Sequence, residues 1–266
     1  MGALMAEPQI HFDDGAAYER MMGYWSRFAG DIFLDWLAPR SGLRWIDIGC
    51  GNGAFTELLV ERCAPAEVQG IDPSNAQLAF ARARPAARVA KFQQGDAMAL
   101  PFPEDSFDAA IMALVLFFVP DPAKGVAEMM RVVCPGGTVA SYVWDMLGGG
   151  VPLEPIQVEM RAMGVAPLLP PRADVSRTEA LRDLWTGAGL DAVETREITV
   201  QRTFGDFQDF WTTTLMGSSV GPTGAAMAPH DVELLKTRVR ARLPADAAGR
   251  ITYGARANAV KGRVPK

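Results

Sequence analysis

A glycine-rich turn between an apolar strand and a helix constrains the fold of this 266-residue chain more than any other feature. Residues 43–48 form a short apolar run that leads directly into Gly49, Gly51 and Gly53. Residues 54–63 then show helical periodicity. Glycines at such a turn let a ligand approach the backbone closely, and the N-terminus of the helix faces that ligand. The pattern therefore predicts a ligand site where the first strand ends.

Strands and helices continue to alternate after this turn. An amphipathic helix over 18–36 precedes the first strand, and residues 251–259 alternate between apolar and mostly polar side chains. Five other stretches are apolar enough for buried strands: 67–71, 89–93, 107–116, 138–144 and 193–200. The alternation predicts an α/β protein with a Rossmann-like, doubly wound sheet.

Polar side chains mark the starts of three of the helices. Ser74, followed by Gln77, forms a capping box, and Asp121 precedes Pro122 at a second start. Ser176 with Glu179 predicts another capping box. These positions predict where the chain turns from loops into helices.

The same periodicity divides the chain into regions. Residues 1–15 lack periodicity and are interpreted as a flexible lead-in, and 16–266 as a single domain. Within that domain, glycines and prolines over about 145–175 predict a small irregular insertion that covers one end of the sheet. Helical stretches over about 205–243 are candidates for a cap.

Composition excludes several classes of function. The chain has 49% hydrophobic residues and a formal net charge of −5, which argues against nucleic acid or an anionic membrane as a partner. Its longest apolar run, 109–119, is too short to span a membrane, and no signal peptide is evident. Three cysteines are too few and too scattered for a disulfide framework or a metal site. We expect a cytoplasmic, metal-free protein that acts on a small molecule; the sequence leaves its oligomeric state open.

Three carboxylates at successive strand ends narrow the choice of ligand. Gly49, Gly51 and Ala54 fit the loose dinucleotide pattern, with Asp72 placed to hold a ribose. However, Asp47 lies two residues before the first glycine, where dinucleotide folds usually place an apolar residue. A carboxylate there suits an ammonium group, and Asp96 after the third strand can accept from an adenine amino group. These positions favour S-adenosylmethionine (SAM) over NAD.

Seven short motifs carry a resemblance to a known family. In order they are D-I-G-C-G-N-G at 47–53, G-I-D-P-S at 70–74, G-D-A at 95–97, L-P-F at 100–102, D-S-F-D at 105–108, V-P-D-P at 119–122 and P-G-G at 135–137. Their order and spacing resemble the class I SAM-dependent methyltransferases, especially the ubiquinone/menaquinone-biosynthesis C-methyltransferase branch. The resemblance implies a seven-stranded sheet with an antiparallel last strand, which 251–259 would supply.

The resemblance also implies a set of cofactor-binding residues. The methionine moiety of SAM would lie over Gly49 and Gly51, with Asp47 near its ammonium group. The ribose hydroxyls would bind Asp72. The remaining implied contacts are Asp96 and the Ala97 N–H at the adenine edge, Pro73 and Met98 beside the ring, Leu114 near the sulfonium, and Tyr18 or Trp25 from the first helix. For Tyr18 and Trp25 a place in the hydrophobic core is the alternative.

The acceptor site is predicted from apolar and aromatic segments at the same edge of the sheet. Its candidate residues are Phe117, Phe118, Tyr142, Trp144 and Trp211, the last of which is equally compatible with the core. Many relatives carry a histidine-containing segment where this chain has apolar residues 114–119, and the Asn/Asp-Pro-Pro-Tyr/Phe signature is also missing. Such a site favours a small, apolar or aromatic metabolite over a nucleic acid.

No catalytic base is evident from the sequence. The chain has two histidines, His11 and His230, and neither is adjacent to a motif. Methyl transfer from a sulfonium needs chiefly orientation and a dry pocket, so a catalytic base is not required for every acceptor. The sequence therefore predicts a SAM-dependent methyltransferase with no assigned catalytic residue. The alternatives are a SAM-binding protein with non-methylating chemistry, or one with a regulatory role and no turnover.

Overall fold

The computed structural model describes residues 19–216 and 220–266. The expected flexible lead-in over 1–15 lies outside the described residues, and so do His11 and Tyr18.

One mixed sheet of seven strands organises the described chain. The strands are β1 Arg44–Ile48, β2 Glu67–Asp72, β3 Ala90–Gln94, β4 Phe107–Ala113, β5 Val133–Trp144, β6 Asp191–Phe204 and β7 Ile251–Arg263. Their order across the sheet is β3-β2-β1-β4-β5-β7-β6. The first five strands run parallel to their neighbours, whereas β7 is antiparallel to both β5 and β6. The predicted fold class is therefore confirmed, including the antiparallel last strand.

Helices of very different lengths connect these strands. The described α-helices are α1 Tyr24–Leu37, α2 Ala54–Cys63, α3 Asn75–Ala83, α4 Pro122–Val132, α5 Glu154–Ala162, α6 Thr178–Gly187, α7 Phe207–Thr214, α8 Gly221–Ala225 and α9 Pro229–Arg242. A π-helical turn, Glu19–Gly23, leads into α1, and Leu116–Phe118 forms a 3₁₀ turn after β4. The candidate cap over 205–243 thus consists of α7, α8 and α9.

Helices cover both faces of the sheet. On β7, Lys261 donates from Nζ to the Trp36 carbonyl in α1, while the backbone of Gly262 lies against Trp185 in α6. Consecutive residues of a strand face opposite sides of the sheet. Helices α1 and α6 therefore lie on opposite faces, and the central strands are buried between layers, which explains their continuous apolar runs.

Two of the predicted helix starts are confirmed and one is wrong. Ser74 Oγ accepts from the Gln77 N–H at 3.3 Å, and Asp121 Oδ1 accepts from the Lys124 N–H at 3.1 Å. Ser176, in contrast, lies before the start of α6, and its hydroxyl donates to the Ala173 carbonyl at 2.7 Å. Because that hydroxyl closes a turn and is fully buried, it is not available to cap the helix.

The fourth strand and the insertion also differ from expectation. Strand β4 ends at Ala113 rather than at 116, because Leu114 has φ +63°, a left-handed conformation that extended strands exclude. The insertion over 145–175 is less irregular than its composition suggests, since it contains α5. Its later part lies over the turn after β4, where the Arg172 N–H donates to the Phe117 carbonyl at 3.0 Å.

Candidate functional site

A cavity of about 410 Å³ lies at the carboxyl ends of β1, β2, β4 and β5. In open parallel sheets ligands bind at this edge, where the strand order reverses on either side of β1. The side towards β2, called here the β2 side, is lined by Cys50, Gly51, Asn52, Asp72, Pro73, Ser74 and Gln77. The side towards β5, called the β5 side, is lined by Ser26, Phe55, Ala113, Leu114, Val115, Phe118 and Tyr142. Asp47, Gly49 and Ala54 lie between them, at the end of β1 and the start of α2.

The glycine turn forms the floor between the two sides. Two of its backbone N–H groups, those of Gly49 and Cys50, donate to the Ile71 carbonyl at 2.7 and 2.9 Å, which joins the ends of β1 and β2. Gly49 has φ +72°, and a Cβ there would lie 2.4 Å from Val115 Cγ1. Gly51 has φ +52°, yet a Cβ there would meet nothing within 4 Å. Gly49 thus permits packing inside the protein, whereas the space over Gly51 is open to a ligand.

Asp72 at the end of β2 is held by backbone donors. Its Oδ2 accepts from the Gly51 N–H at 2.9 Å and its Oδ1 from the Ser74 N–H at 2.8 Å. Burial raises the pKa of the Asp72 carboxyl, and these two hydrogen bonds oppose the rise. Each oxygen retains a further lone pair, so the carboxylate can accept two more donors, such as the two hydroxyls of a ribose.

Asp47 at the end of β1 is fully buried and only half satisfied. Its Oδ2 accepts from Thr56 Oγ1 at 2.6 Å, while its Oδ1 is buried without a hydrogen-bond partner. Burial raises the pKa of Asp47 to about 7, the Thr56 hydrogen bond opposes the rise, and the charge of Asp72 adds to it. No described residue that lines the cavity is a lysine, arginine or histidine. The Asp47 carboxyl is therefore a buried acceptor that lacks a cation.

These groups fit the parts of SAM. The unpartnered Asp47 oxygen suits the ammonium group, the Asp72 carboxylate suits the ribose hydroxyls, and the open space over Gly51 leaves room for the ligand. The cavity volume lies within the range of small-molecule and cofactor sites. The chemistry of this donor and acceptor set matches the implied cofactor.

The β5 side is apolar, and aromatic rings form much of its wall. The Tyr142 ring lies 4.7 Å from that of Phe33 and 5.8 Å from that of Phe55, measured between centroids. Leu114 enters the wall from its left-handed position after β4. Because none of the described residues on this side is charged, it can accommodate a neutral, flat molecule without leaving a charge unpaired.

Several expected site residues lie in this wall and several do not. Of the implied cofactor residues, Asp47, Gly49, Gly51, Asp72, Pro73 and Leu114 line the cavity, and of the acceptor candidates Phe118 and Tyr142 do. Their contacts with ligands stay predictions.

The structure places four aromatic candidates in the core instead. Trp25 is 2% exposed and packs against Tyr253 of β7, with 5.0 Å between the rings. Phe117 and Trp144 are each 3% exposed, and Trp211 is 6% exposed and stacks on Phe207. None of these four lines the cavity, and all four belong to the hydrophobic core.

Asp96, Ala97 and Met98 lie beside the cavity rather than in its wall. The N–H of the preceding Gly95 donates to the Asp72 carbonyl at 3.2 Å, so this turn is adjacent to the β2 side. Asp96 is exposed, and its Oδ1 accepts from the Met98 N–H at 2.8 Å, which closes a local turn. An adenine contact by Asp96 stays a prediction.

Sequence reasoning missed nine of the described lining residues, which are Ser26, Cys50, Asn52, Ala54, Phe55, Ser74, Gln77, Ala113 and Val115. Ser26 had a usable signal, since it is a lone hydroxyl beside the apolar stripe of an amphipathic helix. Phe55 and Val115 had none, because an apolar residue next to a motif is equally typical of the core.

The described part of the chain has neither a membrane-spanning helix nor a cluster of metal-ligating side chains. Over 19–216 and 220–266, no helix combines the length and apolarity needed to cross a membrane. Within the same ranges, histidine, cysteine and carboxylate side chains form no cluster that could hold a metal ion.

A known family model matches the part of the chain that contains most of the site. Residues 46–141, which contain β1 to most of β5, match the family model described as a methyltransferase domain. This segment supplies both carboxylates and the glycine turn.

Curated relatives match over a similar part of the chain. The chain is 39% identical over 115 residues to a demethylmenaquinone methyltransferase of Thermus thermophilus, covering 42% of this chain and 50% of that protein. It is 39% identical over 121 residues to a 2-phytyl-1,4-naphtoquinone methyltransferase of Synechococcus elongatus, covering 44% and 50%. The chain thus spans about half the length of the curated relatives it matches.

A solved structure extends the likeness to almost the whole chain. The YcgJ protein of Bacillus subtilis superposes with a TM-score of 0.60 at 17% identity, covering 90% of this chain and 98% of that one. At this identity the likeness concerns the fold alone. Residues 46–141 thus match a methyltransferase-domain model and are similar to quinone-related methyltransferases, while the chain as a whole has the fold of the YcgJ protein.

Proposed function

We propose that the protein is a SAM-dependent methyltransferase whose acceptor is a small, neutral, aromatic metabolite of the quinone-like class. The observation that supports this most is a single cavity with two chemically different sides. The β2 side and the floor offer the carboxylates of Asp72 and Asp47, while the β5 side offers only uncharged side chains, several of them aromatic. The two relatives described above are a demethylmenaquinone methyltransferase and a 2-phytyl-1,4-naphtoquinone methyltransferase, which favours the same acceptor class.

In this proposal the described residues bind SAM and orient it. When bound, SAM supplies a methyl group on a sulfonium that is already reactive. Asp72 would hold the ribose hydroxyls, and Asp47 would pair with the ammonium group. The turn through Gly49 and Gly51 allows the close approach that both contacts need.

The β5 side would position the acceptor and exclude water. Leu114 and Phe118 lie after β4, and Tyr142 lies in neighbouring β5, so the three surround the route towards the floor of the cavity. No described residue on this side is a carboxylate, an imidazole or an amine. The protein's contribution to transfer is then proximity and desolvation, which suits an acceptor with a ready nucleophile, such as an electron-rich ring carbon.

The test is transfer of label from methyl-labelled SAM to small acceptors. We would incubate the purified protein anaerobically with 1,4-dihydroxynaphthalene or a short-chain derivative, and measure labelled product together with S-adenosylhomocysteine. We expect equal amounts of the two products. Tight SAM binding without transfer to these compounds or to a fractionated metabolite extract would instead support non-methylating chemistry or a regulatory role.

The remaining sequence-based expectations stay predictions. They are a cytoplasmic location and the exclusion of nucleic acid as a partner. Neutral side chains around the β5 side agree with a small-molecule acceptor, and the oligomeric state is open.

A further inference from the structure

Ser26 carries a buried hydroxyl that no described residue satisfies. It lies in the first half of α1, lines the β5 side of the cavity, and its Oγ is buried without a hydrogen-bond partner. A buried hydroxyl without a partner is destabilising, because the hydrogen bonds that it would make to water are lost and not replaced. The cavity therefore holds two unsatisfied side-chain atoms of opposite kinds, the acceptor Asp47 Oδ1 and the potential donor Ser26 Oγ.

The local helix geometry does not relieve this hydroxyl. A serine inside a helix often donates back to a carbonyl one turn earlier, but Ser26 makes no such bond. The preceding turn, Glu19–Gly23, is π-helical, and π-helical turns are often found at functional sites. Arg202 of β6 fixes this turn, since its Nη1 donates to the Met21 carbonyl at 3.0 Å. This hydrogen bond fixes the start of α1, the helix that carries Ser26.

The charges of the ligand identify what this hydroxyl can bind. The amino-acid end of SAM has an ammonium group and a carboxylate next to each other, and Asp47 matches only the ammonium. The carboxylate needs a donor, yet no described lining residue is a lysine, arginine or histidine. Three described lining residues carry a hydroxyl, namely Ser26, Ser74 and Tyr142. Ser74 caps α3 on the β2 side, and of the three only Ser26 has a hydroxyl oxygen that is buried without a partner among the described residues.

We propose that Ser26 is a cofactor-binding residue whose hydroxyl donates to the carboxylate of the amino-acid end of SAM. Together with Asp47 it would form a matched pair, a donor for the carboxylate and an acceptor for the ammonium group. This inference rests on the proposed function. It makes α1 part of the cofactor site through Ser26 rather than through Trp25.

Three ligands that differ only at this end provide the test. S-Adenosylhomocysteine has both charged groups, its decarboxylated analogue keeps only the ammonium, and 5′-methylthioadenosine has neither. We would measure their dissociation constants by calorimetry for the unmodified protein and for Ser26→Ala, Ser26→Thr and Asp47→Asn. Ser41→Ala, in an exposed loop, is the matched control.

Each variant has a distinct expected pattern. Ser26→Ala should weaken the binding of S-adenosylhomocysteine about tenfold or more, because a hydrogen bond to a charged group is lost. The dissociation constants of the other two ligands should stay within about twofold. Ser26→Thr, which keeps the hydroxyl, should restore most of the affinity. Asp47→Asn should weaken the binding of the two ligands that have an ammonium group and leave the affinity for 5′-methylthioadenosine unchanged.

The outcomes separate this inference from the proposed function. If Ser26→Ala weakens all three ligands equally, or none of them, the carboxylate contact is overturned while the cofactor site stands. If the unmodified protein binds none of the three ligands, the proposed function is overturned together with this inference.

Discussion

The β2 side and the β5 side of the cavity are built from the chain in different ways. The β2 side comes from a continuous stretch, in which the end of β1, the glycine turn and the start of α3 follow within about thirty residues. Backbone N–H groups fix its key carboxylate, Asp72. The β5 side is assembled from α1, α2, the segment after β4 and β5, which are far apart in sequence, and its contacts are mainly apolar.

Under the proposed function, this difference separates most of the cofactor contacts from the acceptor contacts, with Ser26 on the β5 side as the exception. A side that is fixed by backbone hydrogen bonds tolerates few changes, because its geometry depends on particular dihedral angles and on short turns. A side made of packed side chains can change shape through single substitutions while the strands stay in place. The two sides should therefore respond differently to mutation, and four substitutions test this.

Gly49→Ala should have the largest effect on stability. The new Cβ would lie 2.4 Å from Val115 Cγ1, at a backbone conformation that L-residues disfavour. The left-handed backbone costs about 1–2 kcal/mol and the overpacking about 1–3 kcal/mol, so the free energy of unfolding should fall by roughly 2–5 kcal/mol. Urea denaturation of the ligand-free protein measures this.

Gly51→Ala is the matched control, since Gly51 is also left-handed but its Cβ would meet open space. It should lose only about 1–2 kcal/mol of stability, from the backbone alone, while weakening SAM binding. Equal losses of stability in the two variants would contradict the role given to Val115.

Asp72→Ala should weaken SAM binding by about 2–4 kcal/mol, because two charge-assisted hydrogen bonds to ribose hydroxyls are lost. Cys50→Ala, at a neighbouring lining position, removes only a small apolar group and should change the affinity little. Calorimetry with S-adenosylhomocysteine measures both variants. If their affinities are similar, the ribose does not bind Asp72.

Asp47→Asn should make the ligand-free protein more stable and the stability less dependent on pH. The folded-state pKa of about 7 is above the ordinary value of an aspartate, so the folded state holds this proton more tightly than the unfolded state. Stability should therefore be highest at acidic pH and fall by up to about 1.4 kcal/mol per pH unit between about pH 4 and 7, then level off.

Asp183→Asn, at an exposed position of α6, is the control and should leave that slope unchanged. Thermal denaturation of the ligand-free variants from pH 4.5 to 8 gives the slopes. An unchanged slope in Asp47→Asn would mean that this carboxyl is ionised throughout that range.

Phe118→Trp should change SAM affinity the least and should selectively lower turnover of the acceptor. Added volume on the β5 side should lower turnover of a bicyclic acceptor about tenfold, a cost of roughly 1.4 kcal/mol, while SAM affinity stays within about twofold. Phe28→Trp, on the exposed face of α1, is the control. A matching loss of SAM affinity in Phe118→Trp would place this residue at the cofactor instead.

Much of the sheet and of the β2 side was predictable because local sequence decides them. The glycine turn, the Asp72 position and the Ser74 cap depend on residues a few positions apart, and the structure contains all three. Strand β7 was recognisable from its period of two, although it extends to Arg263 rather than to 259. Where backbone geometry follows from neighbouring residues, sequence patterns are informative.

The β5 side was less predictable because apolar character does not distinguish the core from a cavity wall. Phe117 and Phe118 are adjacent and equally apolar, yet only Phe118 lines the cavity. The same holds for Tyr142 and Trp144, two residues apart on β5. The orientation of each ring depends on long-range packing, such as the left-handed turn at Leu114, that no local pattern encodes.

The position of β7 between β5 and β6 has a consequence for synthesis on the ribosome. Strand β5 pairs with β7 from Thr138 to Trp144, and β6 pairs with β7 as far as Phe204. A nascent chain that has completed β5 therefore has an unpaired strand edge for more than a hundred further residues. Such edges are prone to aggregation, and distant pairings form slowly. During translation, chaperone protection of that edge should matter more than for a fold whose sheet closes in sequence order.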